Sequence, residues 1–274
     1  MTDRYAVIGN PIAQSKSPVL QMAFARQTGQ DMNYISLLGP LDGFVPTVRE
    51  FQHAGGRGMN ITMPFKLEAF ELADELTPRA RAAGAVNTFV FRPDGSVLGD
   101  NTDGVGIVRD ISINLARPLK GARVLIVGAG GAVRGALLPL LAAGPKEVFI
   151  ANRTAARAAE LAASFAGDTD GVRLEGGAFD QAHGHFDIII NGSASSMSDD
   201  LPPLLPEVWD ASTLAYDMAY KSEPTPFMRH AHECGVHACS DGLGMLVEQG
   251  AESFFLWRGV RPDTSPVIAT LRAA

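Results

Sequence analysis

Residues 123–157 read RVLIVGAGGAVRGALLPLLAAGPKEVFIANRTAAR. The run Val124-Leu125-Ile126-Val127 has no polar alternation, the pattern of a parallel strand buried on both faces. Gly128-Ala129-Gly130-Gly131-Ala132 follows at once, and the small-and-apolar segment from Ala136 to Ala143 reads as a helix. A second apolar strand, Val148 to Ala151, ends on Asn152-Arg153-Thr154. Strand, glycine turn, helix and strand in that order open a dinucleotide-binding fold, in which backbone N–H groups at a helix N-terminus meet a pyrophosphate. A glycine pattern by itself describes a tight turn equally well. The flanking elements in the required order argue for the ligand.

The end of the second strand narrows the cofactor. Where a fold of this kind usually places an acid for the ribose 2′-hydroxyl, this chain has Asn152, then Arg153 and Arg157. An acid there repels a 2′-phosphate, whereas a guanidinium pairs with it bidentately, so the cofactor expected is NADP. The competing reading makes both arginines solvated charges at the start of a surface helix, sharing a face only if that helix begins at Thr154. Val133 occupies the third glycine position of the motif and is expected to hold the helix slightly away from the strand.

Composition bounds the rest. A chain of 274 residues, 46% hydrophobic and 19% charged, is an ordinary globular protein able to bury one large core or two modest ones. A net charge of −7 with no basic tract argues against nucleic acid as a partner. No apolar run approaches a membrane span, and the polar Gly9-Asn10-Pro11 turn comes too early for a signal peptide. With only Cys234 and Cys239, a disulfide framework is not expected, and the location expected is the cytoplasm. Homodimerisation is left open.

Residues 1–103 read as a separate α/β unit. Tyr5 to Ile8 and Tyr34 to Leu37 are short strands, Val19 to Gln27 and Phe44 to Ala54 helices, the second stopped by Gly55-Gly56. Met59 to Met63 alternates, so Asn60 and Thr62 would share one strand face, and Lys66 begins a helix running to about Leu76. Val86 to Phe91 and Ser96 to Leu98 flank the hairpin signal Pro93-Asp94-Gly95. Residues 104–242 read as the dinucleotide unit, with a helix from Val105 to Asn114, another from Ala155 to Phe165, and strands over 186–191 and 214–218.

Three polar clusters remain in the first unit. Ser15 and Ser17 stand before a helix start and can both donate to a carboxylate; the residues alone favour Ser17 as a simple cap with Pro18 at the first helical position. Asn60, Thr62 and Lys66 form the second cluster, Asn87 with Asp100-Asn101-Thr102-Asp103 the third. Ordinary turn polarity accounts for most of them. Lys66 does not fit that account, because a helix N-terminus disfavours a cation. Its ammonium needs a partner from elsewhere, and Asp103 is the candidate.

In order and spacing, AVIGNPIAQSKSP (6–18), GMNITMPFK (58–66), AGAVNT (83–88), GDNTDG (99–104), GAGGAVRG (128–135), NRT (152–154) and DGLGMLVEQ (241–249) resemble the shikimate dehydrogenase family over nearly the whole chain. The resemblance implies reversible NADPH-dependent reduction of 3-dehydroshikimate to shikimate, a step of aromatic amino-acid biosynthesis. It implies an α/β fold of two domains with a cleft between them: residues 1–103 plus 243–274 as the substrate domain and 104–242 as a Rossmann-like NADP-binding domain. Matched residue by residue, it gives Lys66 and Asp103 the catalytic role. Ser15 and Ser17 match the substrate-carboxylate pair, and Asn60, Thr62, Asn87, Tyr220 and Gln249 the other substrate contacts. Gly128, Ala129, Gly130, Gly131 and Ala132 match the pyrophosphate loop, and Asn152, Arg153, Thr154 and Arg157 the adenosine-phosphate clamp. Met218 and Gly242 match backbone positions near the nicotinamide.

The chain departs from the family after Asn191, where members carry Ala-Thr-Ser and then glycine. Here the order is Gly192-Ser193-Ala194-Ser195-Ser196-Met197. The histidines and two cysteines show no zinc-ligand spacing, so no metal is expected. Two other readings stand beside the main one. A quinate/shikimate dehydrogenase using NAD is opposed by Arg153 and Arg157, and a dinucleotide sensor without turnover by the retention of Lys66 and Asp103.

Overall fold

The computed structural model describes residues 2–193 and 201–273. The chain divides into two compact units, Met1–Gly106 with Val247–Ala274, and Ile107–Leu246.

The first unit opens β1 (Asp3–Gly9), α1 (Ser17–Thr28), β2 (Met32–Leu38), α2 (Phe44–His53), β3 (Gly56–Ile61). It continues α3 (Lys66–Leu72), β4 (Glu75–Leu76), α4 (Pro78–Ala83), β5 (Thr88–Phe91), β6 (Val97–Asp100) and α5 (Asp103–Arg109). The sheet order is β2-β1-β3-β5-β6-β4. Central β1 pairs in parallel with β2 on one side and β3 on the other, which is why Tyr5 to Ile8 are buried without alternation. β5 and β6 form the antiparallel hairpin expected around Pro93-Asp94-Gly95. The core on one sheet face is closed by Phe44 and Phe65, stacked at 5.0 Å and at most 1% exposed.

Two expectations here are corrected. α3 ends at Leu72, not near Leu76, because Ala73 turns extended. Glu75–Leu76 then joins the sheet as β4 beside β6, with Asp74 Oδ2 accepting from Val97 N at 2.8 Å. β3 ends at Ile61, so Thr62 lies beyond the strand that holds Asn60.

In the second unit α5 continues into a π-helical turn, Asp110–Asn114. There follow β7 (Arg123–Val127), α6 (Gly131–Ala142), β8 (Glu147–Ala151), α7 (Ala155–Ala163) and β9 (Arg173–Gly177). Then come β10 (Ile188–Asn191), β11 (Leu214–Asp217), α8 (Pro226–Glu233) and β12 (Ala238–Ser240). Every pairing is parallel and the order is β12-β11-β10-β7-β8-β9, a doubly wound sheet whose direction of travel reverses between β7 and β10. α6 starts at Gly131, five residues before the apolar signal that marked it, because glycines carry no periodicity to read.

α9 (Leu243–Arg258) carries the chain back to the first unit, which α10 (Ser265–Ala273) completes. There Trp257 stacks on Tyr5 at 4.7 Å and donates from Nε1 to Phe89 O at 2.9 Å. Phe255 is 40% exposed beneath the Arg261 guanidinium. An ionic network ties α9 to the sheet. Asp100, fully buried, accepts from Arg79 at 2.7 and 2.5 Å and from Thr77 Oγ1 at 2.6 Å, while Arg79 also reaches Glu252 at 2.9 Å. Removing one partner of such a pair strands the other charge in a low dielectric. Arg79→Met is expected to lower the unfolding free energy by about 3–5 kcal/mol in a denaturant titration. A loss under about 1 kcal/mol would show that Asp100 does not depend on that countercharge.

Candidate active site

In an open α/β sheet, polar groups converge at the carboxyl ends of the strands where the order reverses, because loops there diverge to opposite faces. In the first unit that point lies between β1 and β3. The loop after β1 carries Ser15 and leads to Ser17 at the first position of α1, and the turn after β3 carries Thr62 and leads to Lys66 at the first position of α3. Phe65 N donates to Thr62 O at 3.1 Å, so this turn sets the direction in which Lys66 leaves the helix start.

Lys66 meets Asp103. Its Nζ donates to Asp103 Oδ2 at 2.6 Å, with the side chains 31% and 16% exposed. The aspartate stands in the first turn of α5, where a helix favours an anion, and its own N–H donates to Asn101 Oδ1 at 3.1 Å. Asp103 Oδ1 accepts from Asn87 Nδ2 at 2.8 Å. The carboxylate is therefore held from both sides, one oxygen on the ammonium and one on a buried amide.

Asn87 is fixed in turn. Its Oδ1 accepts from Thr102 N at 2.9 Å and Thr88 Oγ1 at 2.8 Å, and its Nδ2 also lies 3.0 Å from Thr102 Oγ1 and 3.4 Å from Gln249 Oε1. Asn60, in β3, points into the same network. It accepts from Tyr34 OH at 2.8 Å and donates to Thr88 Oγ1 at 3.1 Å and Ser253 Oγ at 2.9 Å. Burial pushes the Tyr34 phenol well above its usual range, so it remains a neutral donor.

The cap reading of Ser17 is corrected. The N-cap is Lys16, already in right-handed helical conformation and making no side-chain cap bond, with Ser17 the first helical residue and Pro18 the second. One residue inside the helix, the Ser17 hydroxyl is past the cap position. Ser15 Oγ accepts from Ser17 N at 3.3 Å. Both serines are half-buried beside one another.

In the second unit the glycine turn sits at the reversal between β7 and β10. Gly128 has φ of +104°, open to glycine alone at low cost, and its N–H donates to Ala151 O at 2.8 Å. A Cβ at Gly130 or Gly131 would meet nothing within 4 Å, so backbone N–H groups at the start of α6 are open to a ligand. Arg153 precedes α7, Thr154 is its N-cap and Arg157 its third residue; both arginines are exposed, and neither makes an ion pair among the described residues. Asn152 Nδ2 donates to Thr154 O at 3.0 Å, fixing that corner.

The next strands close the same edge. Ser193 donates its hydroxyl to Asn191 Oδ1 at 2.7 Å, turning it back on the strand end. The remainder of the divergent loop, Ala194 to Met197, lies outside the described residues. Met218 N donates to Asn191 O at 2.9 Å, and a Cβ at Gly242 would fall 2.1 Å from Met218 O, so only glycine lets these two backbones meet. Tyr220 is 39% exposed, and partial burial together with the Asp241 charge pushes its phenol up.

Thr88 and Ser253 escaped sequence reasoning, yet with Thr102 they connect Asn60, Asn87 and Gln249. The signal available was spacing: Ser253 lies four residues after Gln249 and so on the same face of α9.

A doubly wound unit with a glycine turn at its reversal, joined in one chain to a second α/β unit bearing a lysine–aspartate pair, defines a two-domain protein of the dinucleotide-binding class. Comparisons give the family. The model of the shikimate dehydrogenase substrate binding domain matches residues 7–89, that of shikimate/quinate 5-dehydrogenase residues 111–198, and that of the shikimate 5′-dehydrogenase C-terminal domain residues 242–272. The shikimate dehydrogenase (NADP(+)) of Aromatoleum aromaticum is 57% identical over 98% of this chain and 97% of its own. Among solved structures, the Ael1 enzyme from Pseudomonas putida is 49% identical with a TM-score of 0.92, each chain covered to 98%. The Thermus thermophilus shikimate 5-dehydrogenase, solved with NADP(H) and shikimate, is 32% identical with a TM-score of 0.84, each chain covered to 99%. The chain belongs to the shikimate dehydrogenase family.

The buried network makes a direct expectation. Ser253→Ala takes one hydrogen-bond partner from each of the buried Asn60 amide and Thr88 hydroxyl, at a cost of about 1–3 kcal/mol in unfolding free energy. Urea titration measures it, and an unchanged midpoint would mean that these groups find other partners.

Proposed function

We propose that this protein is a shikimate dehydrogenase, reversibly reducing 3-dehydroshikimate to shikimate with NADPH in the biosynthesis of chorismate and the aromatic amino acids. The observation that carries the reading is the Lys66–Asp103 pair at 2.6 Å, held by Asn87 with Gln249 against it, at the sheet edge where the chain after β1 carries Ser15 and Ser17 and the turn after β3 carries Thr62. Those residues supply what a hydroxylated ring carboxylate needs: hydroxyl donors for the carboxylate, and amides and a charged pair for the ring hydroxyls. Asn60 acts at one remove, since its amide is already engaged by Tyr34, Thr88 and Ser253.

The glycine turn and the exposed arginines fit NADP. The turn offers backbone N–H groups at a helix start with no side chain in the way, and Arg153 and Arg157 suit a 2′-phosphate that an acid would repel. Bound there, the cofactor supplies the hydride that reduces the substrate carbonyl carbon. Met218 and Gly242 border the same strand edge through backbone alone.

The chain's own chemistry is proton transfer. Reducing a ketone leaves an alkoxide oxygen that must gain a proton, and Lys66 Nζ donates it; in the oxidative direction neutral Lys66 takes the proton from the substrate hydroxyl. Asp103 holds the amine at the end of its tether, and Asn87 holds Asp103. The free thiols Cys234 and Cys239 accord with a cytoplasmic setting.

Lys66→Ala is expected to lower kcat by about 10²–10⁴ with a much smaller change in KM for shikimate. Normal turnover with weakened binding would assign Lys66 to binding alone. One arginine–phosphate pairing is worth about 1.5–3 kcal/mol, so Arg153→Ala should cut kcat/KM for NADP by about 10–10² and leave that for NAD nearly unaltered. Equal losses with both cofactors would mean that Arg153 does not meet the 2′-phosphate.

A further inference from the structure

Val133 is the third residue of α6, stands where a dinucleotide motif usually has its third glycine, and is fully buried. That glycine normally lets helix and strand pack closely. A valine is expected to push them apart, yet the space it needs is found on β10. Gly192 follows β10 directly, and a Cβ built there would lie 2.4 Å from Val133 Cγ2 and 2.9 Å from Met218 Sδ. The thioether is the far end of a flexible chain and can move aside. The valine methyl cannot, because a β-branched residue on a helix has essentially one rotamer.

The same backbone supports the turn itself. Gly192 N donates to Val127 O at 2.9 Å, and the Cβ that Gly128 lacks would lie 3.1 Å from Ser193 N and 3.2 Å from Gly192 C. The end of β10 therefore lies directly against Gly128 on one side and against Val133 on the other. Any side chain at position 192 would press on both the turn and the first turn of α6.

We propose that Val133 and Gly192 are one complementary contact that positions the pyrophosphate turn for NADP, the valine occupying the volume that a side chain at 192 would require. The inference rests on the reading that Gly128–Ala132 hold the cofactor. Neither residue touches the reacting atoms; both are positioning residues, acting through the seat of the turn. The two departures from the usual pattern, valine for glycine on the helix and glycine after Asn191, are thus halves of a single exchange.

The test is NADP dissociation constants by titration of the cofactor-free protein, with Tm measured beside them, for the parent, Gly192→Ala, Val133→Ala and the double variant. Overpacking at 192 displaces the turn, so Gly192→Ala should raise Kd for NADP by about tenfold or more. Val133→Ala alone removes its half of the contact and leaves a small void, lowering Tm by a few degrees (about 2–6 °C) and raising Kd for NADP by less than Gly192→Ala does. Removing the methyl makes room for the new one, so the double variant should return to within about threefold of the parent. If Gly192→Ala does not fold, the double variant carries the test, since it should fold and bind. Gly192→Ala with a lowered Tm but parental Kd overturns the inference, as does a double variant no better than the single one. A parent that fails to bind NADP overturns the cofactor reading and this inference together.

Discussion

The carboxylate of Asp103 is the constraint on which the first unit's site depends. One oxygen accepts from Lys66 and the other from Asn87, so the ammonium cannot keep its place unless the amide keeps the carboxylate in its own. A lysine at a helix start faces the positive end of the helix dipole, while an aspartate at the start of another helix faces a favourable one. Pairing them resolves the first conflict with the second preference. Behind Asn87 stands a layer of hydroxyls, Thr88, Thr102 and Ser253, whose bonds leave the amide a single orientation. Preorganisation of this kind lets a long, flexible side chain act as a positioned acid and base, because the cost of ordering it is met in folding and not at each turnover.

Each unit uses the same topological device. In the first, β1 lies between β2 and β3; in the second, β7 lies between β8 and β10. Loops leaving the two central strands part to opposite faces and expose backbone and side-chain donors at the strand ends. The devices are tuned differently. The first unit fills its reversal point with side chains that hold one another, whereas the second clears its own with glycine, at Gly128 and Gly192 and again at Gly242. A site for protons needs fixed side chains, and a site for phosphates needs open backbone.

What was legible in the sequence follows from which signals are local. β7 and β8 showed as unbroken apolar runs, and the turn between β7 and α6 as glycines in the right order, because a fully buried parallel strand has no polar face to disguise it. The need of Lys66 for a distant partner was legible from the helix dipole alone. Short strands such as β4 were not, since two residues carry no period and Glu75–Leu76 joins the sheet only through pairing with β6. The role of Ser17 was misread as a cap because capping depends on one residue of register, and the chain turns helical at Lys16. Ser253 was silent for another reason. Its partners Asn60, Thr88 and Thr102 are more than a hundred residues away in sequence, and a lone serine on an apolar helix face gives no hint of them.

The account stands most directly on turnover by the unmodified protein. Shikimate and NADP are supplied together, and NADPH is followed by its near-ultraviolet absorbance while 3-dehydroshikimate is measured alongside. The account predicts saturable formation of both products in equal amounts. Absence of turnover with shikimate, or faster oxidation of quinate with NAD, would contradict it.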